Sequence, residues 1–185
     1  MGRTKNFSRE GVLDKAIPVF WRQGFANANL QDLEKSTGVN KSGLYSEFKD
    51  KDDLFVACLE RYTSDSRTVK TLSALPLGWG NVEQLLKNAM AWPDGKKGCF
   101  LVNSMRELAV LPAEASTVIN AAVARRRRML EDNIRAEGKS AAVAGVIAEM
   151  VSTFFSGLCI EQNLAADKAL SEGKIRKLMQ LIRAL

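Results

Sequence analysis

The sequence predicts an all-α fold: a small N-terminal unit of three helices followed by a larger helical body, about nine helices altogether. Three observations carry this. Apolar residues recur at helical spacing, as in Val12, Ala16, Val19 and Phe20 or Ile119, Val123, Leu130 and Ile134. Good N-cap residues, Ser8, Asn29, Asn40 and Ser140, precede such stripes, and Gly24, Gly38 and Gly138 close them. No stretch shows the strict alternation of a half-buried strand.

Taken in order, the first helix starts at Ser8 and runs to about Gln23, with Gly24 as its C-cap and Pro18 inside it as a point of bending. Asn29 to Lys51 then reads as two short helices joined at Gly38, the second capped by Asn40 and holding Leu44, Tyr45 and Phe48. Trp21 and Phe25 complete a small core with Leu30, Leu33, Val39, Leu44, Tyr45 and Phe48. A linking helix begins at Asp52 and Asp53, acidic residues suited to a helix N-terminus, and extends to about Thr68. The stretch Pro76 to Asn81 breaks the chain, and Asn81 caps a helix to about Trp92. A short helix within Lys96 to Leu111 follows, then a long one from Ala113 to Glu137. Another runs from Ser140 to about Ala166, and the last spans Asp167 to Leu185. The domains expected are 1–51 and 52–185.

Helix, glycine-containing turn, helix is the layout of a DNA-binding helix-turn-helix. A plain helical hairpin has the same outline. Asn40, Lys41, Ser42 and Ser46 favour the DNA reading, being short or basic hydrogen-bonding residues suited to bases and phosphates, as does Lys49 with Lys51 close behind. The candidate DNA-contacting set is Arg3 and Lys5 on a basic N-terminal arm, Asn29, Gln31, Asn40, Lys41, Ser42, Leu44, Tyr45, Ser46, Lys49 and Lys51.

Gly24-Phe25, Leu30, Leu33, Gly38-Val39, Lys41, Gly43-Leu44-Tyr45, Phe48, Lys51 and Leu54 together resemble the N-terminal signature of the TetR family of bacterial transcriptional regulators, over about Arg9 to Leu59. Asn29, Glu34 and the order Ser42-Gly43 depart from the usual pattern, which bears on the operator sequence. The run from Gly98-Cys99 to Glu107-Leu108-Ala109 also resembles a subset of that family. The resemblance implies a palindromic operator as partner, a dimer, and a C-terminal ligand-binding and dimerisation domain with an effector pocket. Candidates to line that pocket are Tyr62, Met90, Trp92, Cys99, Phe100, Met105, Ile119, Val123, Arg126, Phe154 and Phe155; aromatic and Met residues at helical spacing are more often core.

Two residues there carry distinct chemistry. Arg126 lies within the apolar stripe of its helix, three after Val123 and four before Leu130. It either binds an anionic effector, pairs with an internal carboxylate such as Glu107, Glu149 or Glu161, or snorkels to water. Cys99 follows Gly98 at a helix start near Lys96 and Lys97, a setting that favours thiolate and makes it a candidate redox or electrophile sensor; an ordinary core cysteine is the other reading. The apolar helix from Ser140 offers a small-residue face, Gly145, Ser152 and Ser156, and the last helix a stripe, Ile175, Leu178, Met179 and Ile182. These seven are the candidate dimer interface, in a four-helix arrangement about a twofold axis.

Composition bounds the rest. The 185 residues carry a net charge of +6, and 46% are hydrophobic, enough for a sizeable core. Charge is even along the chain: residues 1–51 hold nine Lys/Arg against six Asp/Glu, so a positive DNA face must come from local clustering. Histidine is absent, which removes imidazole bases, histidine triads and imidazole metal sites. Three well-separated cysteines are no disulfide framework. No catalytic constellation, cofactor or metal site is expected. The protein is expected in the cytoplasm, off the membrane, as a DNA-binding repressor responsive to a small molecule or thiol-reactive effector. A DNA-binding architectural or division-control protein without an effector is the alternative.

Overall fold

The computed structural model describes residues 7–91, 98–164 and 168–185, and among them every regular element is helical. The basic arm with Arg3 and Lys5, Trp92, and the pair Lys96 and Lys97 lie outside the described residues.

The N-terminal unit comprises α1 (Arg9–Asn27), α2 (Leu30–Thr37) and α3 (Lys41–Tyr45). Ser8 starts α1 as its N-cap, its Oγ accepting from the Gly11 N–H at 3.0 Å. Asn29 and Asn40 do the same for α2 and α3, each side-chain oxygen accepting a backbone N–H at 2.9 Å. Gly38 ends α2 in the left-handed conformation. Leu33, Leu44 and Phe48 fill the core against Val12, Ala16 and Phe20 of α1.

Several local expectations give way to tertiary contacts. α1 keeps helical dihedrals through Pro18 and departs from them only at Gly24, where φ is 77° and ψ is 173°. The helix resumes for one more turn to Asn27. α3 stops at Tyr45, so Phe48 lies beyond it, held as a buried residue with the Arg9 guanidinium 4.2 Å above its ring. Trp21 turns away from the three-helix core: its indole N–H donates to the Gly98 carbonyl, and its ring meets Tyr62 edge-on at 5.3 Å.

The helical body begins with α4 (Lys51–Ser64), capped by Asp50, whose carboxylate accepts from the Asp53 N–H. It ends at Ser64 because Ser66 caps a separate short helix, α5 (Arg67–Leu72). α6 (Trp79–Asn88) starts earlier than Asn81, and its first N–H groups are satisfied by distant side chains. The Asn133 Oδ1 accepts from Gly78 and the Glu137 carboxylate from Trp79. Asn133 is fully buried and uses its whole bonding capacity. Its oxygen also accepts from the Asn81 amide, while its Nδ2 donates to the Leu72 and Met129 carbonyls at 2.8 Å each.

α7 (Phe100–Ser104) runs into a 3₁₀ turn at Met105–Glu107, and α8 (Ala113–Ala136) packs along α9 (Ala141–Glu161). α10 (Lys168–Ala184) lies against α6. α9 is long and apolar enough by composition to cross a membrane, and Ala144, Ile147, Ala148, Val151 and Phe155 bury one of its faces within the chain.

Candidate DNA interface and effector cavity

α3 divides cleanly between core and surface. Leu44 is 1% exposed and points into the three-helix core, so it cannot reach a base edge; this corrects its place among the expected DNA contacts. Lys41, Ser42, Tyr45 and Ser46, at i, i+1, i+4 and i+5, form the opposite, exposed face, and Tyr45 is 41% exposed instead of core. The Lys41 ammonium sits 5.9 Å from the Tyr45 ring. Gln31 of α2, Asn40 and Lys49 are exposed beside this face. The Asn29 and Asn40 oxygens are occupied by capping, which leaves their amide N–H groups as the donors available outward.

Glu34, one of the departures from the family pattern, has a structural use. Its carboxylate accepts the Lys41 backbone N–H, an otherwise unpaired donor in the first turn of α3. Lys51 is a second correction. Its ammonium is half-buried and donates to the Phe25 and Ala28 carbonyls at 2.8 and 2.9 Å, 4.5 Å from the Phe25 ring. It ties α4 to the end of α1, and these two carbonyls occupy donors that a phosphate contact would need.

α4 connects this unit to the body. Its first half packs on α1 through Phe55, whose ring lies 5.1 Å from Phe20 and 5.0 Å from Phe25. Further along, Arg61 forms a two-pronged ion pair with Asp14 of α1. A second tie crosses at Gly24: the Glu107 carboxylate accepts the Phe25 and Ala26 N–H groups at 3.3 and 3.0 Å. A Cβ on Gly24 would fall 2.3 Å from that carboxylate.

The second half of α4 forms one wall of a cavity of about 420 Å³, closed by α5, α7 and α8. That volume is in the range of small-molecule sites. Of the eleven expected lining residues, Tyr62, Cys99 and Arg126 line it. Phe100, Ile119 and Phe155 are core side chains, and Met90, Met105, Val123 and Phe154 pack against that core at other places. The other walls include Ser66 and Val69 of α5 and Thr117, Val118, Ala121, Ala122 and Met129 of α8. The short side chains at 117, 121 and 122 are the readable signal for them, since they leave inward volume unfilled.

Cys99 is buried as the residue preceding α7, and its sulfur lies 3.3 Å from the Tyr62 hydroxyl. Gly98 makes this placement possible: φ is +67°, and a Cβ there would meet the Cys159 carbonyl at 2.3 Å. Burial pushes the Tyr62 phenol and the Cys159 thiol up, with Cys99 adding to each. Burial likewise raises the Cys58 thiol, and Asp14 adds to it.

The four arginines separate. Arg125 is exposed at the cavity rim, Arg127 pairs with Glu149, Arg128 is exposed, and Arg126 turns inward at 5% exposure. None of the three carboxylates considered for it is its partner: Glu107 holds α1, Glu149 holds Arg127, and Glu161 holds Lys174 at 2.7 Å. Arg126 donates instead to the Ser152 and Ser156 hydroxyls of α9.

Those bonds also correct the expected dimer face. Ser152 and Ser156 are engaged with Arg126, and Ile175, Met179 and Ile182 are buried within the chain, with Leu178 half-buried. Gly145 alone of the set keeps open space around it. The apolar side chains left outside are Val146, Met150 and Ile160 on α9, followed by Leu164, with Leu170 and Leu181 on α10.

A sequence profile described as "Bacterial regulatory proteins, tetR family" matches residues 12–58. The chain is 29% identical over 192 residues to the HTH-type transcriptional repressor ComR of Escherichia coli K12, covering 97% of this chain and 88% of that one. It is 31% identical over 114 residues to the transcriptional regulator YezE of Bacillus subtilis, covering 58% of each. Among solved structures, a cysteine mutant of the TetR family regulator CifR complexed with double-strand operator DNA superposes with a TM-score of 0.78 at 20% identity, covering 97% of this chain and 98% of that one. Reduced NemR of E. coli gives 0.75 at 17%, covering 96% and 95%. The profile falls on α1 to α4, the whole-length likeness extends through α10, and the solved structures share the fold: residues 12–58 carry the tetR-family regulatory domain, and the whole chain is similar to bacterial transcriptional regulators of that fold.

Proposed function

We propose that the protein is a homodimeric, cytoplasmic repressor that binds a palindromic operator and leaves it when a small molecule enters the cavity between α4, α5, α7 and α8. Residues 1–51 act as the reading head and 52–185 as the sensing and pairing body. The observation that carries this reading is α4. One face of it is packed on the head through Phe55 and Arg61, and another face of its last turns, with Tyr62 and Thr63, is a cavity wall. A ligand that fits the cavity better when α4 is tilted shifts the population toward that tilt, by no more than its difference in affinity for the two states. The cavity itself favours an effector over the architectural alternative, which calls for a filled centre.

Base contacts fall to Lys41, Ser42 and Tyr45, and phosphate contacts to Lys49 and the α3 surroundings. Two heads spaced about 34 Å apart require pairing, and the uncovered stripe of Val146, Met150 and Ile160 with Leu170 and Leu181 supports it. Fluorescence anisotropy on an operator fragment tests the reading head. Tyr45→Ala, an exposed position, lowers operator affinity by about tenfold or more, about 1–3 kcal/mol, with an unchanged melting temperature. Binding that does not weaken with added salt, or a Tyr45→Ala variant with full operator preference, sinks the assignment.

A further inference from the structure

The guanidinium of Arg126 is a buried cation with no anion. It is 5% exposed, and no carboxylate pairs with it among the described residues. Its Nε donates to the Ser152 Oγ at 3.1 Å, and its Nη2 to the Ser152 Oγ at 2.9 Å and the Ser156 Oγ at 3.3 Å. Its plane lies 4.9 Å from the Phe155 ring centre. These partners are neutral and orient the group without balancing its charge. Nη1 carries none of these bonds, and the side chain lines the cavity.

A buried charge is tolerated when it is paired, and an uncompensated one calls for a counter-charge or for neutralisation. Arginine holds its proton far too firmly for the second at physiological pH. Burial lowers the Arg126 pKa, and the neighbouring Arg127 adds to that. The neighbouring phenol of Tyr62 and thiol of Cys159 are pushed up by burial, so they stay neutral there. With no carboxylate partner among the described residues, the guanidinium is placed to take its counter-charge from an anion inside the cavity. Its wall holds one acidic residue, the exposed Glu60, against Arg125 at the rim and Arg126 inside. Val69, Leu101, Val118 and Met129 supply apolar surface around the rest.

Resting on the reading of this cavity as the effector site, we infer that its ligand is a small monoanionic amphiphile, an aryl or alkyl carboxylate, whose head pairs with Arg126 and whose apolar body lies against Val69, Leu101, Val118 and Met129. The planar fork of a guanidinium matches a carboxylate. A single buried cation balances one charge, which selects a monoanion over a phosphate dianion.

The test uses three isosteric pairs on the full chain: 1-naphthylacetate and 1-naphthylacetamide, 4-phenylbutyrate and 4-phenylbutyramide, decanoate and decanamide. Binding is followed by tryptophan emission, since Trp21 contacts Tyr62 of the cavity wall, and by thermal melting. In at least one pair the acid binds wild type more tightly than the amide by about tenfold or more. Arg126→Lys retains that preference, Arg128→Met, exposed and outside the cavity wall, leaves it unchanged, and Arg126→Met abolishes it; Arg126→Gln serves the same purpose if the methionine variant does not fold. The inference is overturned if amides bind as tightly as acids in all three pairs, or if the preference survives in the neutral variants or disappears in Arg128→Met. Amides that bind and release operator with no acid preference keep the effector site and remove the anion. If no compound of either class binds or changes operator affinity, both readings fall together.

Discussion

Replacing Gly24 by alanine tests the junction between head and body most directly. Two separate effects are expected. The backbone at φ 77°, ψ 173° lies in a region essentially reserved for glycine, and forcing a Cβ there costs about 1–3 kcal/mol. The same Cβ would sit 2.3 Å from the Glu107 carboxylate and displace it from the Phe25 and Ala26 N–H groups. Losing charge-assisted bonds at a half-buried backbone adds about 1.5–3 kcal/mol, for roughly 3–5 kcal/mol in all. Glu107→Ala removes the second effect beforehand, so in that background Gly24→Ala costs only the backbone strain. Urea unfolding followed by circular dichroism at one protein concentration measures all four corners of this cycle. A Gly24→Ala cost below about 1 kcal/mol, or the same cost with and without Glu107, refutes the reasoning.

Lys51→Ala should destabilise the fold by about 1–3 kcal/mol, because two carbonyls at the end of α1 lose their donor, while leaving the salt dependence of DNA binding unchanged. Lys41→Ala should instead reduce the slope of log affinity against log salt by about 0.9; a reduced slope for Lys51→Ala would return that residue to the DNA face. On the alkaline side, the buried thiols of Cys58 and Cys159 are raised above their ordinary 9.0, so the folded state favours their protonated forms. Their contribution is complete below that value and declines as pH rises past it, by about 1.4 kcal/mol per pH unit for each thiol. Cys58→Ala should reduce the decline measured below the ordinary tyrosine value of 10.0, and stability that grows with alkalinity would contradict the assignment. Met150→Glu places a charge in the uncovered stripe of α9 and should shift sedimentation from dimer to monomer without loss of helicity; a persisting dimer excludes this face.

Capping was legible because it is local. Ser8, Asn29, Asn40 and Ser140 each accept an N–H three residues ahead, and nothing distant is needed to foresee it. The start of α6 was not, because its donors are met by Asn133 and Glu137, more than fifty residues away. Lys51 illustrates the same limit from the other side: a lysine after a helix-turn-helix reads as a phosphate contact until the fold brings the carbonyls of Phe25 and Ala28 within its reach. The end of α4 had a readable sign in Ser66, which caps α5 through Val69. Arg126 was visible as a charge inside an apolar stripe, whereas the occupation of Glu107, Glu149 and Glu161 by other partners is purely tertiary. For α9, apolar nearly all round, periodicity could not decide which face turns inward. Ser152 and Ser156 went to Arg126, and the larger Val146, Met150 and Ile160 stayed outside.

Asn133 has a consequence that reaches beyond its own bonds. Apolar packing between helices is non-directional and tolerates sliding, but an amide with four fixed partners does not. By holding the end of α5 and the entry to α6 against α8, Asn133 sets how far α5 stands from α8. The cavity lies between these same two helices, on the side facing α4. Its gauge, and with it the largest ligand it accepts, is therefore governed by a side chain that never touches the contents. Selection for a different effector size can act there, leaving both the reading head and the anion-binding arginine untouched.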